Sequence, residues 1–135
     1  SELRYTQLIL ALGSVPEFHD IEGMEEHAFT LKSLQDASNL RQHVLRLLSI
    51  ADQELDAKTR RELLTFVGIG AGFAGTKIMA ELLDFVRRVL HHYKNIDPED
   101  LRFVLVHSRD RILPELDAKL ALYAQVKLKA SGIEF

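Results

Sequence analysis

Apolar residues recur along this chain in two rhythms, one strand-like and one helical. Gln7 to Leu12 (QLILAL) is a short apolar run that stops at Gly13-Ser14 and then Pro16, which predicts a buried strand ending in a turn. Val15 to Phe29 is mixed, carries Pro16 and Gly23, and predicts irregular chain. At Ser33 the rhythm turns helical. Ser33 and Asp36 have the spacing of a capping box, with Asp in place of the usual Glu. Leu34, Ala37, Leu40, Val44, Leu47 or Leu48, and Ala51 then recur at helical intervals. Ala51 to Glu62 is charged and reads as a helix end and connector with room for a further helical turn.

Leu63 to Ile69 (LLTFVGI) is short, apolar and partly β-branched, as a strand buried on both faces of a parallel sheet should be. Gly68 inside it weakens the pattern or marks a close approach. After Gly75 the period becomes 3.6. Ile78, Leu82, Phe85 and Val89 form one apolar stripe, and Met79, Leu83, Val86 and Leu90 its neighbour. Lys77, Glu81, Asp84, Arg88 and His91 make the wet face. Asn95-Ile96-Asp97-Pro98 closes the connection to a second strand, Arg102 to Val106. Pro114 to Lys129 predicts another helix, with Leu116, Leu120, Tyr123 and Val126 or Lys127 on one line. Gly132 sits where a C-terminal glycine cap belongs, and Ile133 to Phe135 begins a third strand.

The predicted fold class is therefore α/β: a truncated Rossmann-type βαβαβ nucleotide-binding unit, preceded by a strand and a crossover helix. The junction between its first strand and helix carries Gly70-x-Gly72-x-x-Gly75. Bare, this pattern is a weak signal; between a buried strand and a helix it predicts a dinucleotide site. Gly70 lets the chain turn sharply. Gly72 has no side chain to keep a pyrophosphate off the backbone. Gly75 lets helix and strand pack closely. The helix start offers N–H groups and partial positive charge to phosphate. Gly70, Ala71, Gly72, Phe73, Ala74 and Gly75 are thus the candidate cofactor loop.

Composition narrows the partners. The chain has 135 residues, enough for one domain, and 47% of them are hydrophobic. The formal net charge is -3 and the cations are dispersed, which argues against a nucleic-acid surface. Arg60-Arg61 and Arg87-Arg88 read as solvated helix faces. There is no Cys, so no disulfide, thiolate metal site or CxxC pair. No apolar run approaches the roughly 20 residues that span a bilayer, and Ser1-Glu2-Leu3-Arg4 lacks a signal-peptide layout. A metal site would rest on His91-His92 and Glu25-Glu26-His27; neighbouring helix residues point apart, so none is expected. A nucleophile-elbow G-x-S-x-G is absent, so no Ser/His/Asp hydrolase is expected.

The ribose end of the site is less regular. A dinucleotide unit normally carries an acid at the tip of its second strand. Here Val106 is followed by His107, Ser108 and Arg109. His107 could hydrogen-bond a ribose and Arg109 could meet a 2′-phosphate. Equally, His107 could be a plain strand-end residue and Arg109 an exposed turn cation.

Phe66 to Leu83 resembles the second glycine motif of the type II NADH dehydrogenases, flavoproteins of the pyridine nucleotide-disulfide oxidoreductase class. Ala11-Leu12-Gly13-Ser14 is similar to the segment where that family's chain leaves the flavin domain. Glu26 to Leu34 (EHAFTLKSL) is similar to the crossing into the second domain. Asn95 to Asp100 (NIDPED) and Arg111 to Leu116 (RILPEL) are the most specific pieces. The resemblance covers nearly the whole chain. It implies three parts: a crossover segment from the FAD domain at 1–30, a connecting helix region at 31–62 and an NAD-binding Rossmann half at 63–135. It also implies NADH oxidation, with hydride passing to FAD and electrons to a membrane quinone. Gly70, Gly72 and Gly75 would cradle the NADH pyrophosphate, and Ala11, Leu12, Gly13 and Ser14 would lie near the flavin.

The resemblance further implies FAD in a full-length protein only, and a cytoplasmic location peripheral to the membrane there. The family's first glycine motif, the flavin-domain return and the membrane-binding segment are not in this sequence, so it looks like an internal piece. Catalysis by the piece alone is not expected, and self-association would cover apolar edges. Three positions depart from the family. Lys77 stands where relatives usually keep a Glu near nicotinamide and flavin. Gly68 replaces a bulkier strand residue, and His107 replaces the ribose acid. Lys77 and His107 keep a second reading open, a non-catalytic Rossmann-type binding or interaction module. Lys77 could also simply start the polar helix face, although a cation in the first turn opposes the helix dipole unless an anion is near.

Overall fold

A computed structural model describes residues 4–18 and 20–135. Most of the Ser1-Glu2-Leu3-Arg4 segment considered above lies outside the described residues. The chain divides into two compact units, Ser1–Leu40 and Arg41–Phe135.

The first unit is largely irregular. The expected strand at Gln7–Leu12 does not form: the segment has no regular secondary structure and pairs with no strand among the described residues. Its apolar side chains stand in solvent, with Ile9 88% and Leu12 92% exposed. A strand needs a neighbour for its backbone N–H and C=O groups, and none is supplied. One short helix, α1, spans Met24–His27. The capping box predicted at Ser33 is present. The Ser33 Oγ accepts from Asp36 N–H at 3.1 Å, and Asp36 Oδ2 accepts from the N–H groups of Ser33 and Lys32, both at 2.9 Å. Those donors hold the Asp36 carboxyl below the usual carboxylate range. The cap opens α2, Leu34–Ala51.

In the second unit the buried residues of α2 are Val44, Leu48 and Ala51, three of the positions its periodicity picked out. Helix α3, Ala57–Leu63, starts at Asp56, whose side chain accepts from Thr59 N–H at 2.7 Å. Three parallel strands follow in sheet order β1-β2-β3: β1 Thr65–Ile69, β2 Arg102–Val106 and β3 Ile133–Glu134. Helix α4, Phe73–Val89, crosses from β1 to β2, and α5, Ala118–Ala130, crosses from β2 to β3. This is the predicted βαβαβ order. Gly132, at φ 99°, ends α5 in the left-handed cap expected of it.

Strand alternation sorts the sheet into two faces. Phe66 pairs with Phe103, Gly68 with Leu105, and Phe103 with Ile133. These form the covered face, where the Phe66 and Phe103 rings stack at 5.0 Å. Met79, Leu83 and Val86 of α4 are buried with them. Gly68 belongs to this packing, because a Cβ there would lie 2.6 Å from the Met79 Sδ. The opposite face is open. Val67 and Ile69 are 56% and 54% exposed, so the expectation that β1 is buried on both faces fails in this chain.

Two other expectations change. Helix α5 turns Ala121 inward and leaves Leu120, Tyr123 and Val126 exposed, so its apolar line faces out. It also begins at Ala118 rather than Pro114, capped by Asp117, which accepts from Lys119 N–H. Of the paired arginines, Arg61, Arg87 and Arg88 are exposed as expected, with Arg87 donating to the Ser131 carbonyl at 2.7 Å, while Arg60 is half-buried with its Nε 3.8 Å from Asp100.

Candidate functional site

The site is built at the carboxyl ends of β1 and β2. The ladder between them continues one step past β1, where Gly70 N–H donates to the Val106 carbonyl at 2.8 Å. Gly70 then adopts φ 100°, a conformation that L side chains rarely take, and the chain reverses. Gly75 closes the turn. A Cβ at Gly75 would fall 1.9 Å from the Gly70 carbonyl oxygen, so only glycine allows the start of α4 to rest on the loop. Gly72 is the N-cap of α4. It offers no side-chain hydrogen bond to the helix, and the first turn contains no acid. The leading N–H groups therefore await an acceptor from outside the helix, in a field that favours an anion.

Ala71 is buried, while Phe73 and Ala74 are exposed at the mouth of the loop. Lys77 is the fifth residue of α4, beyond the first turn, so it opposes the dipole less than the sequence suggested. It is exposed and makes no hydrogen bond or ion pair among the described residues.

The chain after β2 returns to the same place. Leu113 N–H donates to the Ala71 carbonyl at 2.7 Å. Arg111 donates to the carbonyls of Pro114 and Leu116, both at 3.1 Å, and Leu116 N–H to the Leu113 carbonyl at 3.0 Å. Ile112 and Leu113 are buried beneath. Leu113 takes φ 48°, an uncommon value for a bulky residue and one that persists only where the surroundings impose it. This segment thus acquires a function that its sequence did not declare: it buttresses the glycine loop. It also brings the Glu115 carboxylate to Gly72, with Oε1 3.4 Å from where a Gly72 Cβ would lie.

His107 follows β2 and is half-buried. Its Nδ1 is enclosed and has no hydrogen-bond partner, which leaves Nε2 as the accessible ring nitrogen. Arg109 is exposed. Thr76, one residue past Gly75, is buried with an unpartnered hydroxyl. Thr76 was not singled out by the sequence pattern, and Glu115 entered only as part of the Arg111–Leu116 segment, with no role of its own. Ala11, Leu12, Gly13 and Ser14 belong to the first unit, where they are exposed; Gly13 has φ 73°, and Ser14 Oγ accepts from Lys32 Nζ at 2.7 Å.

His91 and His92 fall in a 3-10 turn after α4, and their rings lie together at 3.9 Å rather than diverging. Even so, no group of three metal-ligating side chains exists among the described residues. No helix among them is long and apolar enough to cross a membrane.

Comparison with known proteins bears on the family and the fold. The family model of the pyridine nucleotide-disulphide oxidoreductases matches residues 1–135. The chain is 34% identical to the external alternative NAD(P)H-ubiquinone oxidoreductase B4 of Arabidopsis thaliana mitochondria, over 98% of this chain and 23% of that protein. It is 30% identical to the type II NADH:quinone oxidoreductase Ndh of Mycobacterium tuberculosis, over 96% of this chain and 28% of that one. The fold is similar to that of NDH2 from Plasmodium falciparum, solved in complex with NADH. That match has a TM-score of 0.82 at 20% identity, covering 88% of this chain and 24% of the other. The chain therefore spans about a quarter of the length of these relatives.

Proposed function

We propose, from the premise that the chain belongs to the pyridine nucleotide-disulphide oxidoreductase family, that it is the NAD(H)-binding part of a flavin-dependent NADH:quinone oxidoreductase. The observation that carries this reading is the junction of β1 and α4. There a positive-φ Gly70, a Gly75 that no other residue can replace without moving backbone, and an uncapped helix start lie together. Such a junction accepts a pyrophosphate through backbone N–H groups and the helix dipole. It sits at the carboxyl ends of parallel strands, where open α/β sheets bind ligands.

Under this reading Gly70 to Gly75 hold the pyrophosphate, while the Nε2 edge of His107 and the exposed Arg109 face the adenosine end. Residues 1–30 are the crossover from an FAD domain, 31–62 the connecting helix region and 63–135 the NAD-binding half. Ala11 to Ser14 lie near the flavin of the whole enzyme. In the whole enzyme NADH would supply a hydride, with FAD as its acceptor and a quinone beyond. The whole enzyme works at the membrane surface from the cytoplasmic side. The half-exposed Val67, Ile69 and Val106 favour self-association of this chain when it is alone.

Calorimetric titration of the purified chain with NADH tests the reading. Saturable binding at one site is expected. A folded chain that gives no binding heat, together with no competition by NADH against a fluorescent nucleotide, would overturn it.

A further inference from the structure

We infer that Glu115 supplies the carboxylate that the tip of β2 lacks, and that it makes the site select NADH over NADPH. The inference rests on the nucleotide-binding reading above. A dinucleotide unit holds the adenosine ribose through an acid that accepts from its 2′-hydroxyl. His107 occupies the expected position of that acid and has turned its Nδ1 into the protein. Within the glycine loop and the first turn of α4 there is no other acid.

The structure brings one in from farther along the chain. The loop after β2 is fastened to the glycine loop by the Leu113 N–H on the Ala71 carbonyl. The Arg111 guanidinium ties its next turn together at Pro114 and Leu116, and the buried Leu113 bends it through a left-handed φ. Glu115 stands between the two carbonyls that Arg111 holds. Its carboxylate reaches Gly72, the glycine that lets a pyrophosphate close on the backbone. The carboxylate makes no hydrogen bond or ion pair among the described residues, so its lone pairs are free for an incoming donor. It belongs to the loop that leaves β2, and in a dinucleotide unit the end of the second strand serves the adenosine ribose.

A ribose 2′-hydroxyl donates to such a carboxylate. A 2′-phosphate has no proton to give at neutral pH and brings like charge against it, and repulsion of the wrong ligand is an effective source of specificity. Arg109 is exposed and would attract a 2′-phosphate. Glu115 touches the glycine loop at Gly72 and sets the preference.

The test is titration of the purified chain, and of Glu115→Gln and Glu99→Gln, with NADH and with NADPH. Circular dichroism checks that each variant is folded. The Glu99 variant makes the same change of net charge on an exposed turn before β2 and serves as control. The unaltered chain and the control should bind NADH more tightly than NADPH. Glu115→Gln keeps an acceptor oxygen but loses the charge, so its preference should narrow about tenfold, mainly through tighter NADPH binding. Binding of both nucleotides with a ratio unmoved by Glu115→Gln would overturn the role of Glu115 while leaving the nucleotide site intact. A preference for NADPH in the unaltered chain would do the same. Failure of either nucleotide to bind a folded chain would overturn the nucleotide reading, and this inference with it.

Discussion

Two apolar runs in this chain look alike and behave differently. Gln7–Leu12 and Thr65–Ile69 are each short, rich in aliphatic side chains and closed by glycine. The second is β1, hydrogen-bonded along its length to β2, with Phe66 only 7% exposed. The first is irregular chain with its aliphatic side chains in water. Apolar content gives a segment something to bury but does not provide the neighbour that buries it. β1 has that neighbour because α4 crosses over and returns β2 beside it. Even β1 is half satisfied: Phe66 and Gly68 meet β2 and Met79, while Val67 and Ile69 on the other face stay half in solvent.

This comparison can be broken by substitution, and its largest effect lies in the stacked pair. Phe66→Ala should destabilise the second unit by about 3–5 kcal/mol, measured by urea unfolding, because it leaves a cavity against Phe103. Gly75→Ala should cost about 1–3 kcal/mol by the same assay, since its methyl meets the Gly70 carbonyl, and should also weaken NADH binding. Asp56→Ala removes the N-cap of α3 and should cost about 1 kcal/mol. Ile9→Ala, in the run without a partner, should change stability by no more than about 0.5 kcal/mol. A large loss there would mean that Gln7–Leu12 is buried after all.

Acid provides the smallest effect and a separate check. The hydrogen bonds from Arg102 hold the Glu134 carboxyl below its usual range, and those from Thr59 do the same for Asp56. A carboxyl whose pKa is lower when folded than when unfolded binds protons more readily in the unfolded state. Its contribution is therefore present above the ordinary carboxylate range and fades as pH falls through the folded-state value. Both groups are exposed at the surface, so the loss should be small, and Asp56→Ala and Glu134→Gln should each flatten the acid limb of a stability–pH curve.

How much of this was legible in the sequence depended on whether the decisive contact was local. The buried apolar residues of α4 are local in origin: Met79, Leu83 and Val86 recur at helical spacing because one side of a helix faces the sheet, and Leu90 in the turn that follows continues the line. The Ser33–Asp36 cap and the Gly132 stop are likewise set within a few residues, and both were read correctly. The junction of Gly70 and Gly75 was legible for the same reason. What escaped the sequence depends on residues far apart. Glu115 reaches Gly72 across 43 positions only because Leu113 and Arg111 fold their loop back. The outward line of α5 was legible as a line, but its direction is set by which side of the helix the rest of the unit buries, the side that carries Ala121. Gly68 was legible as a weakened strand position or a close approach, and the Met79 side chain against it makes it the second.

The most direct test of the glycine junction as the nucleotide site is an amide NMR titration of the isotope-labelled chain with NADH. The backbone N–H signals of Gly70 to Thr76 should move most and saturate together, with those of the Arg111–Leu116 loop following. A well-dispersed spectrum in which those signals stay fixed as NADH is added, whether or not others move, would contradict it.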